Sequence, residues 1–504
     1  MSGCNLTFTS LLYMNMKNQL LQLASNIDSA LECQNNVQLN SFLSEIENLK
    51  SQNINSFELA QLDFFVANIY ADLQKSATNS DFIEKSIYHL RLSHAAFHDV
   101  PSSLDNLDLR YRVETNLGNA LNSVGRFVEA LERWDSVIEK YPAFGMAHAS
   151  KGKALFDYAQ HLYDEDQKPI FLKYSHISLN KALELGVEEH AKGFYSNLLN
   201  YLNSIANWES ISIETSKKIP GRSKQERTYR QWSLDNRLFL NPQNDIQKTA
   251  DASYDNLHLP SIVSLISETP PEIYGIYNQL KQEYIAARYI LFEAIEESQK
   301  IRLHFSDRQM YLVNMLDARI YRLWVEKAKM AFLGAYAIFD KVAYLINEYW
   351  TLGLQTDRID FRKVWHEKLD CKKGLSHEFK MDQNWPLKGL YWLSKDIYYK
   401  NDDRPTEPDA KQLNNIRNHI SHKYLKVQHS CYNPSIHRKT NGYELTYPID
   451  ENELKEQTIK LLKLVRSALI YLSLAVERHE KQTRENKQGL TVSMQMNEVG
   501  DQRW

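Results

Sequence analysis

The sequence predicts an all-α protein, a helical repeat array followed by a helical bundle. Three observations carry this. Only 16 glycines and 13 prolines are spread over 504 residues, which favours long helices over tight turns. Small residues recur at a fixed helical spacing in the first half. Apolar residues recur at three- and four-residue steps through most of the second half.

Residues 1–200 form the array. Its clearest unit, Glu114 to Pro142, holds Leu117, Gly118, Leu121, Gly125, Phe127, Ala130, Trp134 and Pro142. Gly152 follows Gly118 by 34 residues, the period of a tetratricopeptide-like helix–turn–helix repeat. The glycines let paired helices approach closely, and Pro142 closes the second helix because it has no N–H to donate. The flanking units, Phe65 to Phe97 and Ala154 to Gly186, are degenerate. Residues 201–275 read as a connector. Within it Trp232 to Asp245 (WSLDNRLFLNPQND) fits no helical period, and two roles stay open: a structured linker or part of the lining of a cleft. Residues 276–480 form the bundle. Leu280, Tyr284, Ala287, Leu291 and Ala294 make one stripe, and Phe332, Ala335, Phe339, Val342, Ile346 and Tyr349 a second. Leu390, Leu393 and Ile397 mark a shorter helix, and Leu462, Val465, Leu469, Leu472 and Val476 a final seam. Such stripes bury against one another. Residues 481–504 are polar and read as a flexible tail.

Composition narrows the function. Apolar residues make up 43% and charged residues 24%, which places the chain among globular proteins. The net charge of −3 supplies no global attraction to nucleic acid or anionic lipid, so such binding has to come from a local patch. The cysteines, Cys4, Cys33, Cys371 and Cys431, form no CxxC pair, and a reducing, cytoplasmic setting is expected. Met1 to Ser10 lacks the features of a signal peptide. Ala328 to Trp350 is interrupted by Lys329, Asp340, Lys341 and Glu348, so it reads as a core helix and no membrane partner is expected. No glycine-rich phosphate loop is present, which argues against a nucleotide triphosphatase, and no cofactor is expected.

The local patch lies late in the chain. Lys411 to Lys439 contains six Lys or Arg residues and no Asp or Glu, as a phosphate backbone would require. After a loop from Lys400 to Pro408, Asp409 and Gln412 resemble a capping box opening a helix through LNNIRNHISHKYLKV. Leu413, Ile416, Ile420 and Tyr424 share one face and should seat it on the bundle. At about 100° per residue Arg417 falls at the edge of that face. His422 points nearly the opposite way, with Asn418 one turn before it on the same side.

Arg417-Asn-His-Ile-Ser-His422 resembles the Arg-x4–6-His signature of the HEPN superfamily, a helical bundle carrying this signature on a late helix. WSLDNRLFLNPQND, EYIAARY (Glu283 to Tyr289) and IFDKVAYLINEYW (Ile338 to Trp350) are similar to a bacterial branch in which a repeat-like half precedes the bundle. The similarity covers roughly residues 200–480. It implies metal-independent cleavage of RNA by proteins that pair through the bundle, with Arg417, His422 and Asn418 as the catalytic candidates. The residue types suit that chemistry. RNA carries its own nucleophile, the 2′-hydroxyl, and imidazole in general titrates near neutrality and can move a proton. A guanidinium stays charged and can hold two phosphate oxygens. Asn418 could orient His422 or hold the phosphate. One imidazole does not readily act as base and acid in the same step, so a homodimer placing two Arg417–His422 sets in one cleft is expected. The products would end in a 2′,3′-cyclic phosphate. The family analogy extends to toxins and antiviral defence proteins, with the array as regulator binding a protein or peptide.

Plainer readings stand beside these. Arg417 and His422 on spacing alone describe a solvated polar face, and a HEPN bundle without catalysis would bind nucleotide or a partner. His419 reads as incidental, and Ser421 as either a phosphate contact or a surface serine. Asp340 reads as a polar group buried in the bundle and hydrogen-bonded there, the alternative being a neighbour of the cleft. His429, Cys431 and His437 match no zinc spacing. Cys371 beside His366 lacks an oxyanion hole and a third partner. No metal site is expected.

Overall fold

A computed structural model describes residues 4–76, 81–97, 100, 104–213, 216, 218–264, 272–313, 316–397, 406–408, 410–430, 445–483 and 490–491. It contains fifteen α-helices among the described residues: α1 Cys4–Glu32, α2 Asn36–Lys50, α3 Ser56–Leu73, α4 Asp81–Ala96, α5 Leu104–Ser123, α6 Phe127–Lys140, α7 Gly145–His161, α8 Gln167–Leu185, α9 Glu189–Ile205, α10 Lys224–Asp235, α11 Ile273–Ser298, α12 Leu323–Tyr349, α13 Trp385–Ser394, α14 Ala410–His422 and α15 Glu451–Thr483. The expected all-α class is observed, with two small additions. Short strands Val263–Ser264 (β1) and Leu490–Thr491 (β4) pair antiparallel, and Tyr424–Gln428 (β2) pairs parallel with Thr446–Asp450 (β3). The chain divides into two compact units, residues 1–121, 133–143 and 404–408 in one and the remainder in the other.

Helices are the only regular secondary structure of the first unit among the described residues. Its core sets Leu20, Leu23 and Ile27 of α1 against Leu39 and Ile46 of α2 and Leu62, Val66 and Ile69 of α3. A capping box starts α3: Asn55 Oδ1 accepts from the Glu58 N–H and Glu58 Oε2 from the Asn55 N–H, both at 2.9 Å. Ser86 and Ser93 on α4 donate to the Ala67 and Ala60 carbonyls of α3. Gly118 fills the role its spacing suggests. A Cβ there would lie 2.5 Å from Trp134 Nε1, so only glycine lets the indole sit against α5. That indole donates to the Thr115 carbonyl at 3.2 Å.

The second unit takes in helices from both sides of residue 200 and the stretch between them. Gly152 lets α7 and α8 meet, since a Cβ there would lie 2.7 Å from Leu179 Cγ. Gly125 adopts φ +87° in the turn before α6, and its carbonyl would lie 2.1 Å from a Cβ on Gly389 of α13. The C-terminal helices pack as their stripes indicate. Leu280, Tyr284, Ala287, Leu291 and Ala294 of α11 are buried, as are Phe332, Ala335, Phe339, Val342 and Ile346 of α12. By length and composition alone α12 could cross a membrane, but here most of its apolar residues lie inside the unit, while Met330 and Tyr344 are exposed.

Helix α15 departs from the one-sided seam expected of it. From Leu464 to Val476 every residue is buried, including Arg466, Ser467 and Ser473. It is therefore the central helix of this unit, and each of its polar side chains needs a partner. Arg466 finds its partners in the connector. Its Nε donates to the Phe239 carbonyl at 2.5 Å, its Nη1 to Asp245 Oδ1 at 2.5 Å and its Nη2 to the Asn241 carbonyl at 2.9 Å. A second arginine does the same from α11. Arg288 makes a two-pronged contact with Asp255, at 2.8 and 2.7 Å, and donates to the Leu238 carbonyl at 2.7 Å. The stretch 232–245, which lacks a helical period, thus ends α10, turns, and forms a 3-10 turn at Pro242–Asp245 with its polar groups turned inward.

Candidate nucleic-acid cleavage site

Helix α14 carries the candidate residues. Ala410, Leu413, Ile416 and His419 are its buried face, and it packs against α12, β2 and β3. Asp409 lies outside the described residues. Gln412, the other half of the suggested capping box, donates to Glu453. His419 belongs to the buried face: its Nδ1–H donates to the Asn415 carbonyl at 2.7 Å, and its ring lies 5.4 Å from that of Tyr447. Ser421 is exposed.

The helix ends at His422, not at Val427 as its sequence pattern suggests. Tyr424 to Gln428 is a strand whose register with β3 runs from Tyr424 opposite Thr446 to Gln428 opposite Asp450. Tyr424 therefore does not share the helical face of Leu413 and Ile416, and Ile420 is half-buried. The physical reason lies in the alternation of Leu425 and Val427 with Tyr424 and Lys426. That two-residue period puts both aliphatic side chains inward on a strand, where they are 3% exposed. On its other edge β2 meets residues 318–320: the Ile320 N–H donates to the Val427 carbonyl at 2.9 Å and the His429 N–H to the Ala318 carbonyl at 3.1 Å.

Arg417 is half-buried and turned toward α12. Its guanidinium carbon lies 5.7 Å from the centre of the Tyr336 ring, and Nη1 donates to Asn418 Oδ1 at 3.0 Å. Asn418 is thus engaged with Arg417 and not with His422. Beneath them, burial pushes the Tyr336 phenol up to about 12. Asp340 faces Arg417. Burial and the negative charge of Asp360 push its carboxyl above the usual range, against the pull of Arg417 and a hydrogen bond from the Phe361 N–H. Tyr336 and Asp360 are additions that the motif alone could not supply. Tyr336 lies one turn before Asp340 on α12, the only sequence signal for it.

His422 is exposed, and its side chain makes no hydrogen bond, ion pair or ring contact among the described residues. No contact among the described residues joins it to Arg417. The basic character of the region is partly offset from elsewhere in the chain: Lys426 Nζ lies 2.9 Å from Asp317 Oδ2, and His429 Nδ1 3.1 Å from Glu451 Oε1. Arg438, Lys439, Cys431 and His437 lie outside the described residues. Among those described, no group of three or more His, Cys, Asp or Glu side chains could hold a metal ion. His366 Nδ1 lies 3.2 Å from the Gly374 carbonyl.

One end of α14 therefore presents a solvent-facing imidazole, while a guanidinium on its flank is oriented by an amide and an aromatic ring. Compared with known families, residues 264–479 match the family model described as LA2681-like HEPN. No curated protein and no solved structure matches the chain.

Proposed function

We propose that the segment 264–479, which belongs to the HEPN superfamily, is a metal-independent endoribonuclease centred on Arg417, Asn418 and His422. The observation that carries this is the exposed imidazole of His422, without a partner among the described residues, at the end of a helix whose Arg417 is already oriented. In the reaction a base removes the 2′-hydroxyl proton and the oxygen attacks the adjacent phosphorus. The P–O5′ bond breaks, and an acid protonates the leaving oxygen, giving a 2′,3′-cyclic phosphate and a free 5′-hydroxyl. Arg417 neutralises charge on the crowded phosphorus centre, where donors held in place beforehand are most effective. Asn418 holds the guanidinium.

The second proton-transfer group comes from a second copy of the chain. Two copies related by a two-fold axis would place two sets in one cleft. Exposed apolar side chains between α11 and α12 support such pairing: Ile301 is 99% exposed, Tyr311 97%, Val313 80% and Leu316 88%. The N-terminal helices would act as a tetratricopeptide-like regulator that binds protein or peptide, in a cytoplasmic toxin or antiviral role.

The test is incubation of RNA with the purified chain in EDTA, beside His422→Ala prepared identically. Cleavage by the first and not by the second is expected, and equal cleavage by both would remove this site from consideration. A non-catalytic reading, in which the bundle binds nucleotide or a partner, draws on the separation of Arg417 from His422 within one chain. It predicts no cleavage by either preparation.

A further inference from the structure

Beside the end of α14 lies a cluster of rings and charges that the cleavage chemistry does not use. Tyr424 follows His422 by two residues, so their α-carbons are at most about 7 Å apart. The Tyr424 hydroxyl lies 3.0 Å from the Tyr321 hydroxyl, and Arg319 Nη1 donates to it at 3.0 Å. The Arg319 guanidinium carbon is 5.3 Å from the centre of the Tyr424 ring. Asp317 anchors the group, accepting from Arg319 Nε and from Lys426 Nζ. We propose that Arg319, Tyr321 and Tyr424 form a nucleobase subsite that seats a base of single-stranded RNA next to the phosphate handled by Arg417 and His422.

This rests on the ribonuclease reading, and three features point to a base as the occupant. Tyr321 stays 41% exposed although its hydroxyl is held, so a fixed aromatic face meets solvent. A ring held in this way loses little freedom on stacking a ligand. Asp317 offsets one of the two charges of Arg319 and Lys426 and reduces the attraction left for a phosphate, whereas a neutral π-face stacks well on phenol and guanidinium. The approach to the strand edge is also strained. Leu316 and Ala318 both adopt φ +54°, unfavourable for side-chain-bearing residues, on the way to Arg319 and Tyr321.

The experiment uses the full chain and a labelled 2′-O-methyl RNA hexamer, which has no free 2′-hydroxyl and is not cleaved. Binding is followed by fluorescence anisotropy. Tyr321→Leu is expected to weaken binding about tenfold, as loss of one stacked base would, while Tyr321→Phe, which keeps the ring, stays within about threefold. In the unaltered protein an abasic residue at one hexamer position should cost a similar factor, and Tyr321→Leu should abolish that position dependence. Hexamer binding that is equal in Tyr321→Leu and unaltered protein, with the same abasic profile, would overturn the subsite and leave the nuclease reading intact. An unaltered protein that neither binds the hexamer nor cleaves RNA would overturn both.

Discussion

Replacing Asp245 by alanine should destabilise the second unit far more than a typical single substitution. Arg466 and Asp245 have side chains 2% and 1% exposed, and they face each other at 2.5 Å. Tyr158 adds a hydrogen bond to the same carboxylate at 3.3 Å. Removing the carboxylate leaves a guanidinium inside the unit with, among the described residues, the Phe239 and Asn241 carbonyls as hydrogen-bond partners. An uncompensated buried charge of this kind costs about 3–5 kcal/mol. For a unit of about 370 residues, at about 2.1 cal/mol/K of unfolding entropy per residue, that corresponds to a fall in Tm of roughly 4–6 °C. Asp245→Asn keeps an acceptor and should fall between. Asp245→Ala combined with Arg466→Met removes both charges and should recover a large part of the loss. Because two units need not unfold together, hydrogen exchange across residues 236–246, read beside thermal denaturation, assigns the change to the connector. A shift under about 2 °C, or a double variant as unstable as the single one, would refute the premise that this pair ties the connector to α15.

Further outcomes follow from other contacts. In Asp255, burial works against ionisation, but the charge and hydrogen bonds of Arg288 outweigh it and hold the carboxyl below its usual range. A depressed folded value means stability that is present above about pH 4 and lost as pH falls through the folded value. Protection from hydrogen exchange in residues 238–257, taken relative to the intrinsic rate at each pH, should fall under acid, and Asp255→Asn should remove that pH dependence. Gly118→Ala places a Cβ 2.5 Å from Trp134 Nε1 and should cost about 1–3 kcal/mol, measured by denaturant unfolding. Asp340→Asn removes the option of a negative charge facing Arg417. It should lower KM for RNA about two- to fivefold in low salt, with the gain shrinking as salt is added.

The parts of this structure legible in the sequence are those set by local periodicity. The stripes of α11 and α12, the glycine beneath Trp134 and the outward direction of His422 all follow from three- and four-residue spacing. What was not legible depends on partners far along the chain. Asn241 and Asp245 look like loop residues until Arg466 is brought to them. Tyr424 to Gln428 continues a plausible helix until β3, some twenty residues on, offers a strand edge. Likewise the spacing of Asn418 suits His422, but the side chain turns to Arg417, because Tyr336 and α12 hold the guanidinium on that side. Lys426 reads as a phosphate contact until Asp317, from a distant segment, takes it.

The most direct measurement of the central claim is the chemical identity of the RNA ends produced in EDTA by the unaltered chain, by His422→Ala and by Arg417→Ala. Mass spectrometry should find 2′,3′-cyclic phosphate and 5′-hydroxyl ends from the first, and neither from the two variants. Ends of 5′-phosphate and 3′-hydroxyl, or cyclic-phosphate ends undiminished in His422→Ala, would contradict it.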